Sequence, residues 1–444
     1  MGMSLQGELE PLLTRLGQVA DNTFKGQENY DPTNPSEVQQ AQRALNIFNN
    51  DLSTLITRFR GYYSLDGHDM DPLVDQFAGQ SDRWESPSGS SVYCAIARAA
   101  DGVDEVEKMI HLGQWHGDGA DSFYHNFLDP FRKAAEIHGG CAREMAIGAK
   151  SLADGAERAK ECVVWICKDL ISRLGGGTDP GPLPGEEKEG VKEIGGFAAI
   201  LADAVELLRA LTGPEGSAIE VGLAALGVSG GLIAESKSPA HEEPIGVAPA
   251  AGDSASSLVH NAWLSLDRLD MNIAELDEQI DRGLETDLGS SGPFGSPFAR
   301  IKSPHLEPKA YRQLEFKGLH DAKDAVVVSI VQLYYTGYRI LPGAAEWYDG
   351  GAEICTGAHI DGMQKQFPRA VGKFNEAART LGGLLTAVRG DLTDSANAIV
   401  EAATTYSKAD QYEARQIKML ESQIPSPGSF AGAEHYTPPE WLQP

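Results

Sequence analysis

The chain is 444 residues long, enough for several domains at roughly 100–200 residues each and for a sizeable buried core. With 37 Lys plus Arg against 64 Asp plus Glu, its formal charge of −27 repels phosphate backbones and anionic headgroups, which argues against nucleic acid as a partner. Apolar residues at 41% and charged residues at 23% belong to a folded protein and not to a disordered tail, while 7% aromatics beside 49 glycines suit helices packed through small side chains better than a sheet sandwich.

From the N-terminus, Met1–Glu10 has neither a basic n-region nor an apolar h-region, so signal-peptide export is not expected. Ser36–Tyr62 has a helical period through Val38, Ala41, Ala44, Leu45, Phe48, Leu52, Leu55 and Ile56. A second amphipathic helix follows through Val92, Ile96, Ala99, Val103, Val106 and Ile110. Beyond Pro130, one seam steps by seven through Phe131, His138, Met145, Leu152, Ala159 and Ile166. Beside it run Phe127, Ala134, Cys141, Gly148, Gly155 and Cys162, a lane of mostly small residues that lets a neighbouring helix approach closely. This pair predicts an antiparallel hairpin over 88–174, preceded by N-terminal helices over 1–87.

Gly, Pro and Ser mark a linker at 175–190, a second at 236–254 and an exposed connection at 286–308. Between the linkers, 191–235 reads as an apolar helical hairpin split at Gly213-Pro214. Its longest apolar run, Ile219–Ala234, contains Glu220 and is shorter than the roughly 20 residues that span a bilayer. The helix over Ala255–Leu284 carries Val259, Leu266, Leu269, Ile273, Leu276 and Ile280. An amphipathic helix over Tyr311–Ile340 is then followed by a long helix, predicted at about 45 residues, whose lane is Ala378, Leu385, Leu392, Ile399 and Tyr406. A C-terminal helical unit over 255–422 results, with a disordered tail over 423–444. No stretch reads as a set of strands, so the predicted fold class is all-α, with two elongated hairpin units bridged by an apolar helical segment.

The turn inside the first unit reads Gly113-Gln-Trp115-His-Gly117-Asp-Gly119-Ala120-Asp-Ser-Phe123. The last long helix closes on Tyr406-Ser-Lys-Ala-Asp410. Trp with Gly two on, Ala five on and Phe eight on at a helix turn, with Tyr-x-x-x-Asp at the end of a long helix, resembles the WxG superfamily. These are the small helical-hairpin substrates of type VII (ESX) secretion systems in actinobacteria and their relatives. Four Tyr-x-x-x-acid matches occur, and placement selects Tyr406/Asp410, with Tyr62/Asp66 as the second candidate. Trp347-Tyr-Asp-Gly-Gly351-Ala352 reads as a degenerate second turn between two helices, departing from the pattern at Asp349 and Cys355.

The resemblance implies a non-catalytic protein, cytoplasmic before export, that leaves by a route independent of a signal peptide. Trp115 and Gly117 would form a turn whose indole ring stays available. Tyr406 and Asp410 would complete a composite signal read by a secretion ATPase or a chaperone, and self-association or a WxG-type partner would fit the small-residue lane. The alternatives are a cytosolic or virion structural helical protein, or a membrane-active effector using the 191–234 hairpin.

Chemistry is weakly encoded. His111, His116 and His125 near Asp118 and Asp121, and Asp66, His68, Asp69 and Asp71, have metal-ligand residue types but the spacing of exposed turns, so they read as solvated polar residues. No nucleophile elbow, zincin motif, P-loop or dinucleotide fingerprint occurs. Of the five cysteines (Cys94, Cys141, Cys162, Cys167 and Cys355), Cys162 and Cys167 read as small core residues and not as a redox pair. His138, on the seam, reads as a hydrogen-bonded interface histidine. No cofactor and no metal is expected.

Overall fold

The computed structural model describes residues 4–27, 30–65, 70–78, 90–112, 115, 118–182, 199–207, 230–236, 252–301 and 330–409, with isolated residues 184, 228 and 250 between them. Within these residues the protein is all-α, and no strand occurs.

Helix α1 (Leu5–Gln27) buries Leu5, Leu9, Leu13, Leu16, Ala20 and Phe24, one stripe at steps of three and four. It is the first of the N-terminal helices expected over 1–87. Helix α2 (Pro35–Arg60) starts where Asn34 accepts the Ser36 N–H and Pro35 fills the first turn. It lies antiparallel on α1, with Phe24 stacked on Phe48 at 4.4 Å and Arg60 paired to Glu10 at 2.9 Å. Its last residue is Arg60, two short of the predicted end. Helix α3 (Asp71–Ala78) packs on α6.

Helix α4 (Val92–His111), capped by Ser91, buries Val92, Ile96, Ala99, Val103 and Val106, as its period requires. A short α5 (Asp118–Phe123) runs through a wide π-turn (Tyr124–Leu128) into α6 (Asp129–Ile171). At 1.5 Å per residue, α6 is about 65 Å long. It is buried on nearly every face, because α1, α3 and α4 cover it from one part of the chain and α8, α9 and α12 from the other.

The helical stretch α7 (200–207) buries Ile200, Leu201, Ala204 and Val205, and α8 (Gly231–Glu235) is a single turn. The middle of the predicted apolar pair, 208–227, lies outside the described residues. Among those described, no helix is long and apolar enough to cross a membrane. Helix α9 (Ala255–Leu288), opened by a Ser254/Ser257 capping box, runs antiparallel to α6. Leu284 lies opposite Gly148, and Leu276 lies opposite Gly155. The connection after α9 differs from its expected exposure: Phe294, Ala299 and Ile301 are buried against the bundle.

Of the predicted 311–340 helix, 311–329 lie outside the described residues. The remainder forms α10 (Ile330–Tyr335) and a second π-turn (Thr336–Ile340) leading into α11 (Leu341–Gly357). The two π-turns share a cause. In each, the N–H after the turn reaches back five residues, Asp129 to Tyr124 O and Leu341 to Thr336 O, and a proline follows (Pro130, Pro342) with no N–H to return. The last helix, α12 (Pro368–Ala409), is 42 residues long. Asp277 of α9 accepts the Ala370 N–H at 2.9 Å and so caps its start. Among the described residues α12 pairs antiparallel with α11, and 330–340, the described part of the predicted 311–340 helix, packs on it as well. Apolar side chains from Leu5 to Ala403 join one contiguous core.

Candidate functional site

Trp115 lies between α4 and α5 and is 4% exposed. The ring is therefore not available on the turn as expected. It packs on Phe123 at 5.4 Å, and the contact continues through Phe127 (5.1 Å), Phe131 (5.9 Å) and Tyr348 of α11 (5.9 Å). An indole beside three phenylalanines gains more from burial than from solvent, since each large ring removes roughly 150–250 Å² from water. Its Nε1 finds no hydrogen-bond partner among the described residues. Gly117, Asp66 and Asp410 lie outside the described residues. Tyr406 falls on the last turn of α12.

Trp347 is inside α11, half-buried against the core, and not at a turn. The glycines that suggested punctuation serve close packing instead. A Cβ on Gly351 would stand 3.3 Å from Leu385 of α12 and 3.7 Å from Ala95 of α4. The chain reverses later, at 358–367, where Met363 takes φ +60° and the Asn375 side chain holds both the N–H and the carbonyl of Ile360.

Tyr62 follows α2 and is buried, its hydroxyl donating to Asp270 of α9 at 2.5 Å. Burial, together with that carboxylate, holds the phenol proton far above its ordinary range. Arg58 bridges Asp267 and Asp270 at 2.7 Å each and lies over Trp263 at 4.7 Å. Tyr62 thus joins α2 to α9.

One end of the bundle brings the last turns of α4 and α12 onto a common segment. Thr336 Oγ1 donates to Met109 Sδ on the last turn of α4 at 3.6 Å. Tyr334 hydrogen-bonds Thr404 of α12 at 2.9 Å, and Gly337 fits so closely under α12 that an added Cβ would lie 2.6 Å from Val400. Segment 330–340 therefore ties the end of α4, six residues before Trp115, to the end of α12, two residues before Tyr406.

His138 is fully buried, with Nε2 at 2.8 Å from Ala299 O and Nδ1 at 3.4 Å from the Tyr348 hydroxyl, the interface role its seam position suggested. Burial pulls its pKa down to about 4, so it is neutral at physiological pH. All five cysteines are buried thiols in no disulfide, and burial pushes Cys162 and Cys167 up to about 12. His111 pairs with Glu107 at 3.2 Å on its own helix and His125 is exposed, while His116 and His68 lie outside the described residues. Among the described residues, no group of three or more His, Cys, Asp or Glu is placed to hold a metal.

The sequence reading missed a buried carboxyl pair, Glu144 on α6 and Asp287 at the end of α9, 1% and 0% exposed. Its one legible sign was the charged pair Arg143-Glu144 inside a stretch of α6 made mostly of small and apolar residues. Compared with family models, with curated proteins and with solved structures, the chain matches none.

Proposed function

We propose that the chain is a non-catalytic helical substrate or secretion-associated protein of a type VII secretion system, exported by a composite signal. In this reading the Trp115–Gly117 turn and the Tyr406–Asp410 helix end are presented together to the secretion ATPase or a chaperone. The observation that supports it most is the convergence of the ends of α4 and α12 on segment 330–340. Met109, six residues before Trp115, and Thr404, two residues before Tyr406, both contact that segment, the kind of proximity a composite signal would use.

Burial of Trp115 changes its part in the signal. Packed on Phe123, it would fix the direction of the turn, leaving Tyr406 and Asp410 as the targeting residues of this reading. In this reading α4 with α6 and α11 with α12 are the two hairpins that would carry the signal. Export is tested by comparing culture filtrate with lysate, in an actinobacterial host carrying a type VII system, for wild type, Trp115→Ala and Asp410→Ala. Wild type is expected in the filtrate and both variants in the lysate, with Trp115→Ala checked for a cooperative melt. Equal, low filtrate signal for all three removes the export reading and leaves a structural helical protein.

A further inference from the structure

Independently of export, the region where α8 meets α6 and α9 has the parts of a switch. Gly231 N–H donates to Asp287 Oδ1 at 2.5 Å, and Leu232 N–H donates to Glu144 Oε2 at 3.0 Å. Two carboxyls from two different long helices thus hold the first turn of α8. Their other oxygens, Glu144 Oε1 and Asp287 Oδ2, are buried with no hydrogen-bond partner among the described residues, and the two carboxyls are close enough to repel each other when ionised. If both were ionised, acceptor would face acceptor. A proton between them satisfies both oxygens.

The backbone is pressed onto this pair. A Cβ at Gly230 would lie 1.7 Å from Glu144 Oε1, and one at Gly231 would lie 2.1 Å from Gly283 O. Only glycine allows the approach. The other titratable groups facing the pair are Arg143 and Cys141 on α6 and Cys355 on α11. The Arg143 charge favours ionised Glu144, while burial keeps both thiols neutral. On the outer side of α8, Glu235 pairs with Arg282 at 3.7 Å.

We propose that Glu144 and Asp287 form a proton-held latch: while the pair keeps its protons, Gly230–Leu232 stays pinned to α6 and α9, and deprotonation releases that segment while the bundle remains folded. The direction follows from burial, which raises Asp287 to about 7 and Glu144 well above the carboxylate range. Once that segment leaves, water reaches both carboxyls on α6 and α9, and they return toward the ordinary carboxylate value of about 4. Latching is therefore complete below about 4, the released-state value, and is lost progressively as pH rises from there through about 7.

The test is hydrogen exchange on the full chain between pH 5 and pH 8, corrected for the intrinsic pH dependence of exchange. Residues 230–236 are compared with residues 377–392 of α12. Protection of 230–236 is expected to fall at least about tenfold per pH unit, one proton per unit, with no such fall in α12. Glu144→Gln or Asp287→Asn should flatten that slope. Protection in wild type that does not change with pH overturns the latch, as does an equal slope in α12, which would report global unfolding. A wild-type slope retained in both variants overturns it as well. The two wild-type outcomes decide the matter even where a variant fails to fold.

Discussion

His138 shows how one side chain sets a pH response. Its imidazole is enclosed by Ala299 and Tyr348, and its pKa falls from an ordinary 6.5 to about 4 because the charged form has no water. A group depressed in the folded state contributes in full above its unfolded pKa and loses that contribution as pH falls toward the folded one. The loss between pH 6.5 and 4 amounts to roughly 3 kcal/mol. Glu144 and Asp287, raised instead, act in the opposite sense, so the two trends oppose each other over that window. His138→Gln keeps a donor for Ala299 and removes the acid-side loss. Urea unfolding of this variant at pH 4.5 and pH 7 should therefore show stability shifted toward acid by roughly 2–3 kcal/mol relative to wild type. An unchanged difference between the two pH values would show that His138 does not titrate with folding. The role of His138 was readable from the seam because a polar residue in an apolar lane must find partners. Trp115 was not, since exposure at a turn depends on which distant rings arrive to cover it. Glu144 was hidden for another reason: a glutamate on a helix ordinarily marks a solvent face, and α6 has almost none.

At the scale of the element, the seven-residue lanes of α6 and α12 carried the information, because a long helix repeats its burial pattern many times. Short elements did not. Gly350 and Gly351 read as a turn, although both sit inside α11, where Gly351 lets α4 and α12 approach. The small-residue lane on α6 meets real neighbours, but its two glycines are not equivalent. At Gly148 a Cβ would find Leu232 and Phe374 at 3.5 Å, ordinary contact. At Gly155 it would lie 2.5 Å from Leu276 and 3.3 Å from the fully buried Phe367 ring. Gly148→Ala should therefore stabilise by up to about 1 kcal/mol, the helix-propensity gain of alanine over glycine. Gly155→Val should cost about 1–3 kcal/mol through overpacking. Thermal melts of the two variants would then move in opposite directions, and a shared direction would mean that the lane does not set the spacing of α6 from α9 and α12.

For the whole molecule, the composition pointed to all-α, and the chain folded its helices around one of their number. Helix α6 takes its cover from α1, α3 and α4 on one side and from α8, α9 and α12 on the other, so the predicted linker at 175–190 separates residues that share a core. Sequence periodicity could not reveal this, because a heptad seam states that a mate exists without naming it. The energetic consequence can be stated. Leu276, Leu284, Phe367 and Phe374 all face α6, and each buried apolar side chain of this size is worth about 1.5–3 kcal/mol. Four of them together match the net stability of a typical domain, about 5–15 kcal/mol. A fragment of residues 1–182 would leave the Gly148–Gly155 lane uncovered, and a fragment of residues 184–444 would expose those four side chains to water. Neither should show a cooperative calorimetric transition alone, and mixing or co-expressing them should restore one. If either fragment melts cooperatively with its full helix content, the two units are energetically independent and the core they share is only a contact between them.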